Sequence, residues 1–170
     1  MQDIEVARRN LSAFVLNQAE QTAHGAGFGW EARADAPDKY PVLQAHYDEI
    51  KRSGGPLHVS SYNSGNAIYT TPQINHAFRF WHDMHHLKLG LSFKFVDEIE
   101  LALWHLSVAE KAGLGRGSLE SQLLEIDLLG HNYLYSVARK HPVNQEVFVR
   151  RCLDLGLHEG VLAEVRANPT

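Results

Sequence analysis

Apolar residues recur at helical spacing along most of this chain, and the breaks in that rhythm divide it into elements. Val6, Leu11, Phe14, Val15 and Ala19 form one stripe, and Asp3 ahead of them is a capping residue, so the pattern predicts a helix from Asp3 through about Gln21. Residues His24 to Lys39, rich in Gly, Ala and Asp, read as a loop. Pro41 opens a short helix through about Lys51, which Gly54-Gly55 ends. The stretch PLHVSSYNSGNAIYTT then changes character. Two β-prone runs flank the turn-forming Asn63-Ser64-Gly65-Asn66, which predicts a β-hairpin near 56–71 with its second strand over Ala67 to Thr71. Helical periodicity returns over 73–89, 95–113, 118–140 and 144–166, the last broken near Gly156. The expected fold is α+β and mainly α, a helical bundle with a small β-hairpin, in a single domain spanning 1–170.

Three of these helices carry polar residues in informative places. At 100° per residue, Ile74, Ala77, Phe78, Trp81 and Met84 share the apolar side of the 73–89 helix. Asn75, Arg79, His82 and His86 form a stripe opposite, with Asp83 beside it, while His85 turns toward the apolar side as a core histidine. His82 and His86 are one turn apart, the spacing at which two imidazoles grip one ion. In the next helix Glu98 and His105 fall in the middle of an apolar arc, with Ile99, Leu103 and Leu106 on one flank, Leu101 and Val108 on the other, and Ala102 and Ala109 between. A carboxylate there is costly to bury without an arginine, a proton or a metal, and Arg79 is one available partner. Asp127 and His131, again one turn apart, lie among Leu123, Leu124, Leu128, Leu134 and Tyr135. Three helices that each turn an acid or a histidine inward imply a shared polar centre. It is either a metal site or a buried hydrogen-bond network.

Composition narrows the classes. A chain of 170 residues with 44% apolar content can build one real core. Twenty acidic against sixteen basic residues give a net charge of −4 with no Lys/Arg block, which argues against nucleic acid as a partner. The single cysteine, Cys152, sits in an apolar helical pattern and reads as a buried structural thiol. No apolar run reaches membrane-spanning length and MQDIEVARRN lacks a signal peptide's apolar core, so the expectation is a soluble, cytoplasmic protein without a membrane partner. No phosphate-binding glycine loop occurs, since GLGRG at 113–117 lies between helices, and no GxSxG elbow is present.

The stretch NAIYTTPQINHAFRFWHDMHHLKLG, followed by VDEIELALW, resembles zincin-like metallopeptidases of the ImmA/IrrE type over residues 66–104. There a strand precedes an HExxH helix and a later Glu is the third ligand. The resemblance implies a metal-dependent hydrolase in which His82, His86 and Glu98 bind zinc (alternatively Mn or Fe) and Asp83 stands in for the general base. Asp83 departs from the Glu of that motif, and only eleven residues separate His86 from Glu98. HD-type phosphohydrolases are a second resemblance, carried by His46, the pair His82-Asp83 and Asp127 in that order; it implies one or two metals on an all-helical scaffold. A ferritin-like or haem-oxygenase-like di-iron bundle is a related alternative, through Glu98, His105, Asp127 and His131. FRFWHDMHH and the C-terminal GHNYLYSVARKHPVNQEVFVRRCLDLGL also look like small phage- and plasmid-encoded proteins. That likeness implies a non-catalytic helical binding protein whose buried polar centre is structural. Beside the zincin-like set, Arg79, His105, Asp127 and His131 are supporting residues or alternative ligands.

Overall fold

The computed structural model describes residues 3–62, 64–65 and 67–167. In chain order its elements are α1 (Ile4–Ala26), β1 (Trp30–Arg33), α2 (Tyr40–Ser53), β2 (Leu57–Ser60), α3 (Pro72–Leu89), α4 (Phe95–Lys111), α5 (Leu119–Glu125), a π-helical turn (Ile126–Gly130), α6 (His131–Ala138), α7 (Gln145–Leu155) and α8 (Leu157–Ala167). This is a mainly α, α+β fold. No helix among the described residues is long and apolar enough to cross a membrane.

Local chemistry explains most boundaries. The Asp3 carboxylate accepts the Glu5 N–H at 3.0 Å and opens α1, which closes at a left-handed Gly27. Pro72 occupies the first turn of α3 behind the Thr71 cap, and Gly90, with φ of 69°, ends it. α5, the π-helical turn and α6 run on without a cap between them, because the residues at both junctions keep right-handed helical angles. The single helix expected over 118–140 is therefore one rod with an inserted π turn.

The expected β-hairpin is not what forms. β2 pairs in parallel with β1, in register from Trp30↔Leu57 to Arg33↔Ser60, and α2 is the crossover that parallel strands require. The partner strand comes from the segment read as loop, where Trp30 stacks on Phe80 with ring centroids 4.9 Å apart. The anticipated second strand, 67–71, is a series of bends. Its consecutive Ile68 and Tyr69 are both buried, which a half-buried strand's alternation forbids. Three long-range hydrogen bonds hold it there: Tyr69 Oη–H to Asp127 Oδ2 at 2.7 Å, Arg8 Nη2 to the Tyr69 carbonyl at 2.9 Å, and the Thr70 N–H to Ser12 Oγ at 3.1 Å. These tertiary anchors outweigh β-propensity. Asn63 and Asn66 of the expected turn lie outside the described residues.

α3 is the central element. One flank packs on α1, where Trp81 meets Phe14 edge-on at 5.7 Å, and Phe80 meets β1. Burying such side chains stabilises the fold by roughly 1.5–3 kcal/mol each. The face that carries Arg79, His82 and His86, expected opposite this apolar side, is turned not to water but to α4 and the rod. Cys152 is buried between α7 and α8, and burial, with the nearby Glu164 carboxylate, pushes its thiol up to about 12, which makes it an inert packing group.

Candidate metal centre

His82 and His86 project from successive turns of α3, and Glu98 comes from the first turn of α4. The link between the two helices brings them together. Gly90 reverses the chain so that the Leu91 carbonyl accepts from His86 Nδ1 at 3.0 Å. Asp97 then ties the link down by accepting the Ser92 N–H at 2.9 Å and the Ser92 hydroxyl. The eleven residues between His86 and Glu98 therefore suffice, because the connection is a tight turn into a new helix.

The geometry is compact. His86 Nε2 lies 2.9 Å from His82 Nε2, His82 Nε2 lies 3.3 Å from one Glu98 oxygen, and His86 Nε2 lies 3.4 Å from the other. Donor atoms around a tetrahedral ion at zinc–nitrogen bond lengths are separated by about 3.3 Å. Among the described residues this is the one group of His, Cys, Asp or Glu side chains whose ligand atoms all fall within 4.8 Å of one another. The same spacing lets the three groups share protons through hydrogen bonds.

The tautomers are constrained from outside. His86 spends its Nδ1 proton on Leu91, which leaves Nε2 as a lone pair directed at the cluster. His82 Nδ1 is 3.2 Å from Nε2 of His105, which is fully buried and whose Nδ1 has no hydrogen-bond partner among the described residues. His105 thus stands behind His82 and fixes its ring, as the supporting residue of a metal ligand does.

Charge reinforces the arrangement. Burial alone would raise the Glu98 carboxyl, but hydrogen bonds and charge from His82 and His86 outweigh it and hold Glu98 well below the usual carboxylate range. Burial also opposes protonation of His82, yet the carboxylates of Glu98, Asp83 and Asp127 raise its affinity for protons overall. Asp83 is lifted to about 6 by burial, against the pull of His82 and His86. His105 is driven well below its ordinary value by burial, then by repulsion from its histidine neighbours, and is neutral.

His82, Asp83 and Glu98 line a cleft of about 660 Å³ that also receives Arg79 and His131. Asp127 sits deeper. Its carboxylate takes the Tyr69 hydroxyl and faces His131 Nδ1 at 3.2 Å, and these partners, with Arg79, lower it despite burial. The inserted π turn begins beside Asp127, and such turns gather at functional positions. Arg79 hydrogen-bonds Asn75 and the Ser60 carbonyl, both at 2.8 Å, instead of pairing with Glu98. His46 lies elsewhere: its Nε2 accepts the His58 N–H at 3.1 Å and its ring meets that of His58 at 4.3 Å. The structure therefore brings His82, His86 and Glu98 together, sets His105 behind them, and leaves His46 and Asp127 outside the cluster. His85 donates to the Trp81 carbonyl at 2.7 Å and stacks on Trp104, a core histidine.

Sequence reasoning missed the Leu91 carbonyl, Tyr69, and the cleft-lining Tyr135, Arg139 and His141. A backbone carbonyl has no sequence signal, whereas Tyr69 was hidden by the hairpin expectation. No family model, curated protein or solved structure matches the chain.

Proposed function

We propose that this protein is a metal-dependent hydrolase whose zincin-like site binds one divalent transition metal, zinc before manganese or iron, through His82 Nε2, His86 Nε2 and Glu98. The observation that carries the reading is the set of three donor separations, 2.9, 3.3 and 3.4 Å, against the tetrahedral edge of about 3.3 Å. Two imidazoles and one carboxylate are a donor set of catalytic zinc sites, and two of the three residues, His82 and Glu98, line the cleft. A bound ion supplies Lewis acidity and lowers the cost of deprotonating water. The chain's own residues do the rest. Leu91 holds His86 in the ligating tautomer, His105 braces the His82 ring, and Asp83 lines the cleft with a carboxyl whose proton affinity suits a general base near neutral pH.

The test begins with metal analysis of untagged protein after reconstitution with Zn, Mn and Fe. About one equivalent is expected in the wild type, and less than about one-tenth in His86→Ala and Glu98→Gln. Metal-loaded protein is then assayed on fluorogenic peptide pools and on p-nitrophenyl esters. Asp83→Asn is expected to keep its metal and lose about 10²- to 10⁴-fold in rate. Wild type that takes up less than one-tenth equivalent sinks the reading and leaves a buried hydrogen-bond network, the arrangement of a non-catalytic binding protein.

A further inference from the structure

The cleft has a second end that the metal reading leaves unused. A cavity of about 370 Å³ adjoins it, and the two share Arg79, His131 and His141. Arg139 completes this end. Its guanidinium lies 6.0 Å over the Tyr135 ring and makes no ion pair among the described residues. Arg79, at the junction, hydrogen-bonds only neutral groups among the described residues, Asn75 and the Ser60 carbonyl. His131 is held by Asp127 through Nδ1 and stacks on Phe148, which leaves Nε2 as the ring atom available to the cleft. His141 is lowered by burial first and then by the charges of His131 and Arg79, so these groups lie in one another's field.

Arg79 and Arg139 thus line one cleft, with the Asp127 and Asp83 carboxylates in the field of Arg79 and none paired with Arg139 among the described residues. Arg139 also adopts φ of 54°, the one non-glycine residue with positive φ among those described. That φ is the left-handed cap that closes α6, where the Arg139 N–H donates to the Tyr135 carbonyl at 2.9 Å, so the helix end sets where the Arg139 side chain leaves the backbone.

The geometry points to an oxyanion subsite: a ligand bearing a phosphate or carboxylate group docks that group on Arg139, Arg79 and His131, and the rest of it extends toward His82 and Glu98. Asp83, beside the ligand cluster, repels an anion and so assigns the acid group to the Arg139 end. Guanidinium forks match the planar geometry of both oxyanions. The inference names an anionic substrate class for the proposed hydrolase. It rests on that reading only for what the ligand's other end meets.

The test is calorimetric titration of the full-length, metal-stripped protein at pH 7 and low salt, with inorganic phosphate and with succinate in parallel. One oxyanion per chain is expected, with Kd below about 10 mM. Arg139→Asn keeps a residue that tolerates the left-handed conformation and is expected to weaken binding about tenfold or more, with an unchanged melting temperature as the check on folding. The tighter of the two anions names the acid group. Glu98→Gln is expected to lose zinc and keep the oxyanion. Wild type that binds neither anion, or Arg139→Asn that binds as tightly as wild type, overturns the subsite. Zinc uptake without oxyanion binding overturns this inference alone, whereas oxyanion binding without zinc uptake supports it and removes the metal reading.

Discussion

Replacing His105 with leucine separates the stability of this fold from the metal binding proposed for it. His105 is fully buried, its Nε2 is 3.2 Å from His82 Nδ1, and its Nδ1 has no partner among the described residues. An orphaned buried polar atom costs about 1–3 kcal/mol, and leucine, of similar size, removes that cost. The substitution also leaves His82 Nδ1 without its partner, a penalty of the same kind. It falls at the low end because the His82 side chain is 16% exposed. The two contributions nearly cancel, with a net change between zero and about 1 kcal/mol in favour of the variant. For a chain of this size 1 kcal/mol moves Tm by about 2–4 °C. Metal affinity has no such compensation. Loss of a group that orients a ligating histidine typically weakens binding about 10- to 100-fold. The assay pairs melting curves in excess chelator with zinc affinity by competition against a chromophoric chelator. The expected result is a metal-free Tm equal to wild type or a few degrees higher, with affinity at least tenfold weaker. Affinity within twofold of wild type refutes the orienting role. A metal-free Tm lower by more than about 8 °C shows instead that the imidazole is a packing piece of the core.

Gly160→Ala is expected to destabilise the protein although alanine is the better helix former by about 1 kcal/mol. A Cβ at Gly160 of α8 would lie 2.6 Å from Cys152 Cα and 2.8 Å from its backbone nitrogen in α7, so the helix pair must part at an overpacking cost of about 1–3 kcal/mol; a variant that melts above wild type contradicts this. The pH dependence of Asp127 has a definite sign. Its folded carboxyl is depressed below the ordinary value, net of burial, by His131, Tyr69 and Arg79, so its stabilisation is present above about pH 4 and is lost as pH falls through the lower folded value. Urea unfolding from about pH 5 down to pH 3 should therefore cost wild type more stability than it costs Asp127→Asn, and parallel losses would count against the ion-paired carboxylate.

The helices were legible because their information is local. Asp3, Pro41, Gly54 and Gly156 mark ends by chemistry that acts within one turn, and periodicity supplies the rest, whereas the Thr71 cap was read as the end of a strand. The strand pairing was not legible, because parallel partners are separated by a helix and nothing in LHVS names WEAR as its neighbour. The run after the turn cluster read as a strand on propensity, yet Tyr69 is claimed by Asp127, fifty-eight residues away. The two polar clusters divide along the same line. His82 and His86 lie within one helix and Glu98 just past its end, so spacing alone could bring them together, whereas adding His46 or Asp127 required contacts that no short pattern encodes. A histidine pair one turn apart is common on helices and by itself means little. What distinguishes this pair is the neighbouring helix, which turns a carboxylate inward where an apolar side chain was expected. Burial would neutralise that carboxylate, but the two imidazoles keep it ionised. An ionised group in that position requires positive charge beside it. A shared proton or a divalent cation can meet that requirement, and donor separations of 2.9, 3.3 and 3.4 Å are compatible with both, so metal analysis is what separates them.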